Sequence, residues 1–264
     1  LTENRRLLQI DGKRIIVTGG ARGMGSSAVR AFVAEGGHVA SFDVMDDLGR
    51  KVAAEAGKSG PGTVRFYHCD ISKKSEVDDV FKSAVGDLGG LDALVNAAGI
   101  DRAAKAEEIT EEQWNEVFQV NVLGTLFTNQ AAFHHMRDHG GRIINFGSGA
   151  GMRGSAGVSH YAASKGAVIA WTRSVAQEWG KYGITVNAMA PAIWTPMYNE
   201  YRARMTPEEL KAHDAKFATE IPMGGKLGDP DRDLAPVLVF LVSDGSRFVT
   251  RQTIVVNGGL YEGR

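Results

Sequence analysis

Arg14-Ile-Ile-Val-Thr18-Gly19-Gly20-Ala21-Arg22-Gly23-Met24-Gly25 is the stretch on which the fold of this chain turns. The run Ile15-Ile-Val17 is β-branched and apolar without alternation, the pattern of a strand covered on both faces. Apolar residues at helical spacing follow from Met24 onward, so the glycines join a strand to a helix. Glycines in that joint permit a tight turn and let a pyrophosphate approach the backbone, while the helix N-terminus offers free N–H groups and a positive dipole end. Glycine is common here, 33 residues in all, so the loop gains its meaning from the strand before it and the helix after it.

Working outward, short β-branched runs alternate with longer amphipathic stretches. The strand candidates are Arg14–Thr18, His38–Asp43, Val64–Cys69, Ala93–Asn96, Arg142–Phe146, Thr185–Ala188 and Thr253–Val256. Helical patterns lie between them at Met24–Glu35, Asp47–Ala56, Ser75–Leu88, Glu111–His135, Ala156–Lys181 and Asp231–Ser243. This alternation predicts an α/β fold: a Rossmann-type, doubly wound, seven-stranded parallel sheet with helices on both faces. No linker or repeat divides the 264 residues, so a single domain spanning 1–264 is expected. The irregular region 192–228 carries Pro196, Pro207 and Pro222 among aromatic and charged residues. A connection that long inside a compact domain reads as a substrate lid. Within it, Thr206-Pro-Glu-Glu predicts a helix start with Thr206 as N-cap and Pro207 at the first helical position.

Asp43 ends the second strand candidate, about twenty residues beyond the loop, where an acidic side chain accepts from both ribose hydroxyls of a dinucleotide. A carboxylate there repels a 2′-phosphate, so NAD is the expected cofactor. Arg22 in the loop has the chemistry to pair with that phosphate, and Asp43 outweighs it because it contacts the ribose directly.

Tyr161 and Lys165 are four apart in a helical pattern, with Ser148 thirteen positions upstream. Residues at that spacing share a helix face, so the ammonium is expected beside the phenol, favouring the phenolate and pulling the tyrosine pKa down. Tyr161 then becomes a proton donor or acceptor, with Ser148 holding a carbonyl or alcohol oxygen.

The remaining composition excludes more than it proposes. Thirty basic against thirty-one acidic residues leave no electrostatic footprint for nucleic acid or an anionic membrane surface. The longest apolar stretch, Leu234 to Val242, is too short to span a bilayer. The opening Leu1-Thr-Glu-Asn-Arg-Arg has no long apolar core, so no secretory signal is read. Cys69 is the only cysteine, which rules out an internal disulfide and suits a reducing, cytoplasmic location. It reads as a small buried hydrophobe. His134, His135 and His139 lack the Cys or Glu partners of a metal site, and no metal is expected. His160, one residue before Tyr161, is expected at the surface, because a neighbour at i−1 faces away from the pocket.

These features in this order resemble the short-chain dehydrogenase/reductase family, over about Asp11 to Gly259. Thr18, Gly19, Gly23 and Gly25 match its T-G-x-x-x-G-x-G loop, with Arg22 and Met24 inside it. Asp70, followed by Ile71, matches its adenine-contacting acid. Asn96-Ala-Ala-Gly99 matches the N-A-G signature, and Asn121, Ser148, Tyr161 and Lys165 match the catalytic tetrad.

The resemblance implies hydride transfer between a small-molecule secondary alcohol or ketone and a nicotinamide. Tyr161 is then acid/base, Lys165 binds nicotinamide ribose and lowers the phenol pKa, Ser148 orients the substrate, and Asn121 holds a relay water. It also implies cofactor contacts from Pro191, Ile193 and Thr195, and a homotetramer built on the Tyr161 helix and its predecessor. A fatty-acid-type NADPH ketoreductase of 3-oxoacyl thioesters is the alternative, and a non-catalytic NAD-binding regulator the alternative of another class. The chain departs from the family pattern with Ala192 after Pro191, Arg251 for a usual glycine, and Asn257 for a usual aspartate. Met152, Arg153, Val158, Trp194, Met197, Tyr198 and the segment up to Met223 are expected as pocket walls for a bulky alcohol.

Overall fold

The computed structural model describes residues 7–263; the opening residues 1–6, on which the absence of a secretory signal was read, lie outside the described residues. Seven strands run parallel in the order β3-β2-β1-β4-β5-β6-β7. They are β1 Arg14–Thr18, β2 His38–Asp43, β3 Thr63–His68, β4 Ala93–Asn96, β5 Gly141–Phe146, β6 Ile184–Pro191 and β7 Thr253–Val256. The chain winds one way through β1, β2 and β3, then returns past β1 to start β4. β1 and β4 stay paired to their last residues, Thr18 and Asn96, and the connections leaving them turn to opposite sides, the place where an open α/β sheet forms a ligand crevice.

The absence of alternation in β1 has the expected cause. Ile15 and Val17 enter one apolar layer with Val29, Phe32 and Leu238, while Ile16 enters the opposite layer with Phe42, Phe81 and Leu94. In β5, Ile144 and Ile143 divide between the same two layers. Both faces of the sheet are thus sealed by helices, which holds the strand ends rigidly beneath the crevice.

The helices that matter for the site are α1 Gly23–Ala34, α2 Asp46–Ala56, α3 Lys74–Leu88, α4 Glu111–Phe118, α5 Gly124–Met136, α6 Gly149–Arg153, α7 Ser159–Trp179, α8 Pro196–Arg202, α9 Pro207–Glu220 and α10 Ala235–Val242. The pattern expected as one helix from Glu111 to His135 is broken by a π-helical turn, Gln119–Leu123, that contains Asn121. A second π turn, Pro230–Leu234, precedes α10, in which Pro236 is accommodated in the first turn.

The segment 192–228 folds around two helices, α8 and α9, and the start of α8 lines the crevice. Thr206 and Glu209 form a reciprocal capping box with Pro207 at the helix start, as the sequence predicts. Tyr198 stacks against Phe217 and meets Trp194 edge-on, and its hydroxyl bonds His213 at 2.6 Å. The two helices are therefore packed on each other as one body. Its base is pinned where Trp194 N donates to Gly228 O at 2.8 Å and Gly228 N to Ala192 O at 3.1 Å.

In the turn into β7 Arg251 has φ 67°, a left-handed conformation that is costly for a residue with a Cβ. Asn257 keeps the turn after β7, accepting from Gly259 N at 3.0 Å and donating to Tyr261 O at 2.7 Å.

Candidate active site

A cleft of about 480 Å³ opens over the carboxyl ends of β1 and β4. Its floor is the glycine-rich loop, and two glycines there have no substitute. Gly19 has φ 71°, and a Cβ would lie 2.7 Å from the Ala98 backbone. At Gly25 a Cβ would lie 2.1 Å from the Gly19 carbonyl oxygen. The loop therefore closes backbone to backbone, and the first turn of α1 points its N–H groups into the cleft. No side chain caps this helix, and Arg22 at its N-cap is fully extended.

Asp43 sits on the cleft wall with its carboxylate fixed from two sides. Oδ2 accepts from Ala21 N at 3.0 Å and Oδ1 from Met45 N at 3.0 Å. Arg22 turns the other way, pairing with Glu200 of α8 at 3.2 Å and so tying the loop to that helix. Asp70 lines the next part of the wall, its carboxylate held by Ser72 N at 3.0 Å and Ser72 Oγ at 2.6 Å. Burial pushes the Asp70 carboxyl up, and the bonds from Ser72 and Lys73 more than offset this, leaving it below the usual carboxylate range.

Met24, Ile71, Gly99, Tyr161, Lys165, Pro191, Ile193 and Thr195 reach the same cleft. Asn96 lies one layer behind it, buried, donating to Asn145 Oδ1 of β5 at 2.9 Å. The sequence reading missed Val44, Met45 and Ser72 on the cleft wall, while Met197 lines it as expected. The first two follow directly on Asp43, and apolar residues immediately after the acid at a strand end were the available signal. Thr195 also caps α8, accepting from Tyr198 N, so one residue serves both the cleft wall and the helix start.

Ser148 ends the loop after β5 and caps α6, accepting from Ala150 N at 3.1 Å. Its own hydroxyl hydrogen is thereby free to donate to the Tyr161 oxygen. Lys165 Nζ lies 5.9 Å from the Tyr161 ring centroid and donates to Phe146 O at 2.8 Å. The expectation of a depressed phenol is corrected here. Burial pushes Tyr161 up to about 12, the Ser148 bond only partly opposing it, and burial also brings Lys165 down to about 8. The ammonium is spent on the Phe146 carbonyl, and desolvation outweighs a neighbouring cation.

Asn121 clamps the chain on the far side of Lys165. Its Oδ1 accepts from Ile100 N and its Nδ2 donates to Ile100 O, both at 2.9 Å, with a further bond to Ser164 Oγ at 3.0 Å. Gly99 passes between this amide and Lys165, so near that a Cβ would sit 3.1 Å from both Asn121 Oδ1 and Lys165 Nζ. With its side chain committed, Asn121 offers a water only its main-chain carbonyl, which already accepts from Thr125 Oγ1 at 2.8 Å.

His160 is fully buried, against the surface position expected of it. The face of α7 turned from the cleft meets protein, because the loop after β4 and the π turn cover it. Met223 departs in the other sense, 77% exposed and away from any pocket wall. Arg153 is exposed and lies over the Tyr261 ring at 4.1 Å. Cys69 is buried, its thiol pushed up to about 12 by desolvation. His139 bonds the Leu91 carbonyl at 3.1 Å, and among the described residues no three His, Cys, Asp or Glu side chains converge as metal ligands. Among the same residues no helix is long and apolar enough to cross a membrane.

A dinucleotide crevice with a hydroxyl, a phenol and an ammonium gathered at one end defines a nicotinamide-dependent oxidoreductase of the doubly wound α/β class. The short chain dehydrogenase family model matches residues 13–206, and the chain belongs to this family. It is an oxidoreductase acting on CH–OH groups with NAD or NADP. The chain is 36% identical to the (2S)-[(R)-hydroxy(phenyl)methyl]succinyl-CoA dehydrogenase subunit BbsD of Thauera aromatica, over 95% of this chain and 97% of that protein. It is also 36% identical to an acetoacetyl-CoA reductase of Shinella zoogloeoides, over 93% and 97% of the two chains. Among solved structures, levodione reductase superposes with a TM-score of 0.89 at 29% identity, covering 95% of this chain and 98% of that one.

Proposed function

We propose that this chain is an NAD-dependent dehydrogenase of a bulky or cyclic secondary alcohol, with Asn121, Ser148, Tyr161 and Lys165 as its catalytic residues. The observation that carries the cofactor assignment is Asp43: a carboxylate pinned by two backbone N–H groups on the cleft wall, with Arg22 drawn away to Glu200. A bound nicotinamide accepts or supplies the hydride.

The chain's own residues handle the proton and the geometry. The Ser148 hydroxyl holds the substrate oxygen, and Tyr161 takes the alcohol proton during oxidation or returns it to a carbonyl during reduction. Because burial keeps the free phenol protonated, Tyr161 needs added positive charge to become a base. A bound oxidised nicotinamide would supply part of that charge, and Lys165, which would hold its ribose, would supply the rest. Asn121 holds Ile100 and Ser164 so that Gly99 stays beside Lys165. The α8–α9 unit acts as the substrate lid, and Met197 on the cleft wall supports an apolar substrate.

The reading extends to a cytoplasmic homotetramer built on α7 and the expected helix Glu111–His135, which folds as α4 and α5. A second reading, reduction of a 3-oxoacyl thioester with NADPH, is favoured by the likeness to an acetoacetyl-CoA reductase and by the exposed Arg153, which suits an anionic carrier. A panel of cyclic alcohols, steroids, aryl carbinols, sugars and 3-hydroxyacyl thioesters, each with NAD⁺ and NADP⁺, separates them. Highest kcat/KM on a bulky alcohol with NAD⁺ supports the first reading; highest efficiency on thioesters with NADPH replaces it with the second.

A further inference from the structure

Beside the Tyr161–Lys165 face lies a second group of ionisable atoms with no assigned use. Both ring nitrogens of His160 and Oδ1 of Asp101 are buried without a hydrogen-bond partner. His160 has no exposed surface at all. An unpartnered buried polar atom forfeits its hydration without replacement, so three of them in one place call for a partner or a function.

The surrounding bonds bring the two side chains together. Asn121 clamps Ile100 at both its N–H and its carbonyl, which fixes the position of Asp101. The same loop is bound to the approach of α7, where Ala104 N donates to Gly157 O at 2.9 Å. His160 shares a helix face with Ser164, which accepts from Asn121 Nδ2 and donates to Tyr161 O at 2.7 Å. Asp101 and His160 therefore flank one polar strut that runs from Ile100 through Asn121 and Ser164 to the Tyr161 backbone.

We propose that Asp101 and His160 are a buried positioning pair, linked through an enclosed water, that braces and electrically biases the Tyr161–Lys165 face. This rests on Tyr161 being the acid/base of the reaction. The groups facing Asp101 are His160, Tyr161 and Lys165 from α7, Arg102 in its own loop and Arg204 from the turn between α8 and α9. Tyr161 faces Ser148, Asp101 and Tyr261. The Asp101 carboxylate is thus the acidic group whose charge opposes a phenolate at Tyr161 and supports an ammonium at Lys165. Without His160 the carboxylate loses its partner in a buried place and is driven to the neutral acid, so both changes act on Tyr161 in one direction.

The test uses Asp101→Asn, His160→Leu and the double variant in the full chain, reading the pH profile of kcat/KM for alcohol oxidation. Each single change is expected to move the acid limb to lower pH by about 0.5 or more, the low end of what a neighbouring charge does. The double variant moves it no further, because the two residues act as one unit. Unmoved limbs, or shifts that add, overturn the pair while leaving the dehydrogenase reading intact.

A second measurement does not depend on turnover or on the His160 variant folding. In the wild-type protein His160 should give a slowly exchanging imidazole N–H signal, assigned by through-bond correlation, that Asp101→Asn abolishes. Its absence from the wild type, or its survival in the variant, also overturns the proposal. A protein that oxidises no alcohol but keeps this Asp101-dependent signal retains the pair and loses the dehydrogenase reading.

Discussion

Replacing Asp43 with alanine isolates the cofactor assignment from the rest of the site. The carboxylate is held by Ala21 N and Met45 N at 3.0 Å each, which leaves its remaining lone pairs facing the cleft. A hydrogen bond from a ribose hydroxyl to such a charged acceptor is worth about 1.5–3 kcal/mol, so its loss lowers kcat/KM with NAD⁺ by about 10- to 100-fold. With NADP⁺ the effect reverses. A unit charge about 4 Å from another costs about 1 kcal/mol in bulk water and more near a protein surface, and a 2′-phosphate carries nearly two. Removing the carboxylate therefore returns at least about 2 kcal/mol, roughly 30-fold, to NADP⁺. The ratio of the two efficiencies should move by at least about 300-fold toward NADP⁺. Both freed N–H groups lie at a part-exposed wall where water replaces the lost acceptor, so the melting temperature should fall by only a few degrees. Initial rates with each cofactor and one alcohol, with a thermal melt as the folding control, give the answer. An unchanged ratio in a folded variant refutes the ribose contact.

Gly25→Ala forces a methyl to within 2.1 Å of the Gly19 carbonyl oxygen, so the loop must open. Strain of about 1–3 kcal/mol should weaken dinucleotide binding several-fold to about a hundredfold by calorimetry, whereas Gly86→Ala, with open space around it inside α3, should leave binding unchanged and stabilise the fold by about 0.5–1 kcal/mol. Oxidation requires the Tyr161 phenolate and the free phenol is pushed up to about 12, so kcat/KM for the alcohol should rise with pH across the alkaline range while carbonyl reduction, which uses the protonated phenol, stays level until the pH nears that value; an oxidation rate that is flat in pH contradicts this.

Lys165, brought down to about 8 in the fold, carries its full burial penalty below that pH, and stability is regained as pH rises from about 8 toward the unfolded value of 10.5. Lys165→Met should accordingly abolish turnover yet raise stability at pH 7 by about 2 kcal/mol, after the loss of the Phe146 bond, with the gain shrinking by pH 10. A lower melting temperature at pH 7 refutes that sign.

The sheet was legible because burial on both faces writes itself as unbroken β-branched runs. Arg14–Thr18, His38–Asp43, Ala93–Asn96 and Thr253–Val256 stand at the expected bounds. Where the signal is backbone geometry, periodicity does not carry it. The π turn at Asn121 keeps the apolar spacing of an ordinary helix, and α6 is a five-residue helix of mostly small residues announced only by its Ser148 cap. Strand β6 runs on to Pro191 because pairing with β7 continues past the β-branched residues that marked it, through Met189 and Ala190.

The cofactor cleft was legible residue by residue because loop, acid and helix chemistry are local in sequence. Long-range placement was not. His160 was assigned to solvent from its angle on one helix, but the covering loop comes from about sixty positions upstream. The Tyr161 phenol was expected low from the neighbouring ammonium alone, and burial, which no spacing reveals, decided the direction.

The most direct measurement is Tyr161→Phe, which removes one buried hydroxyl and nothing else. Cofactor binding by calorimetry and single-turnover reduction of NAD⁺ by the best alcohol of the panel should be read on the same preparation. NAD⁺ should bind within a few-fold of wild type while turnover falls by at least about 100-fold, the lower range for a positioned acid/base. Turnover close to wild type in a variant that still binds NAD⁺ would contradict the assignment of Tyr161 as the proton-transferring residue.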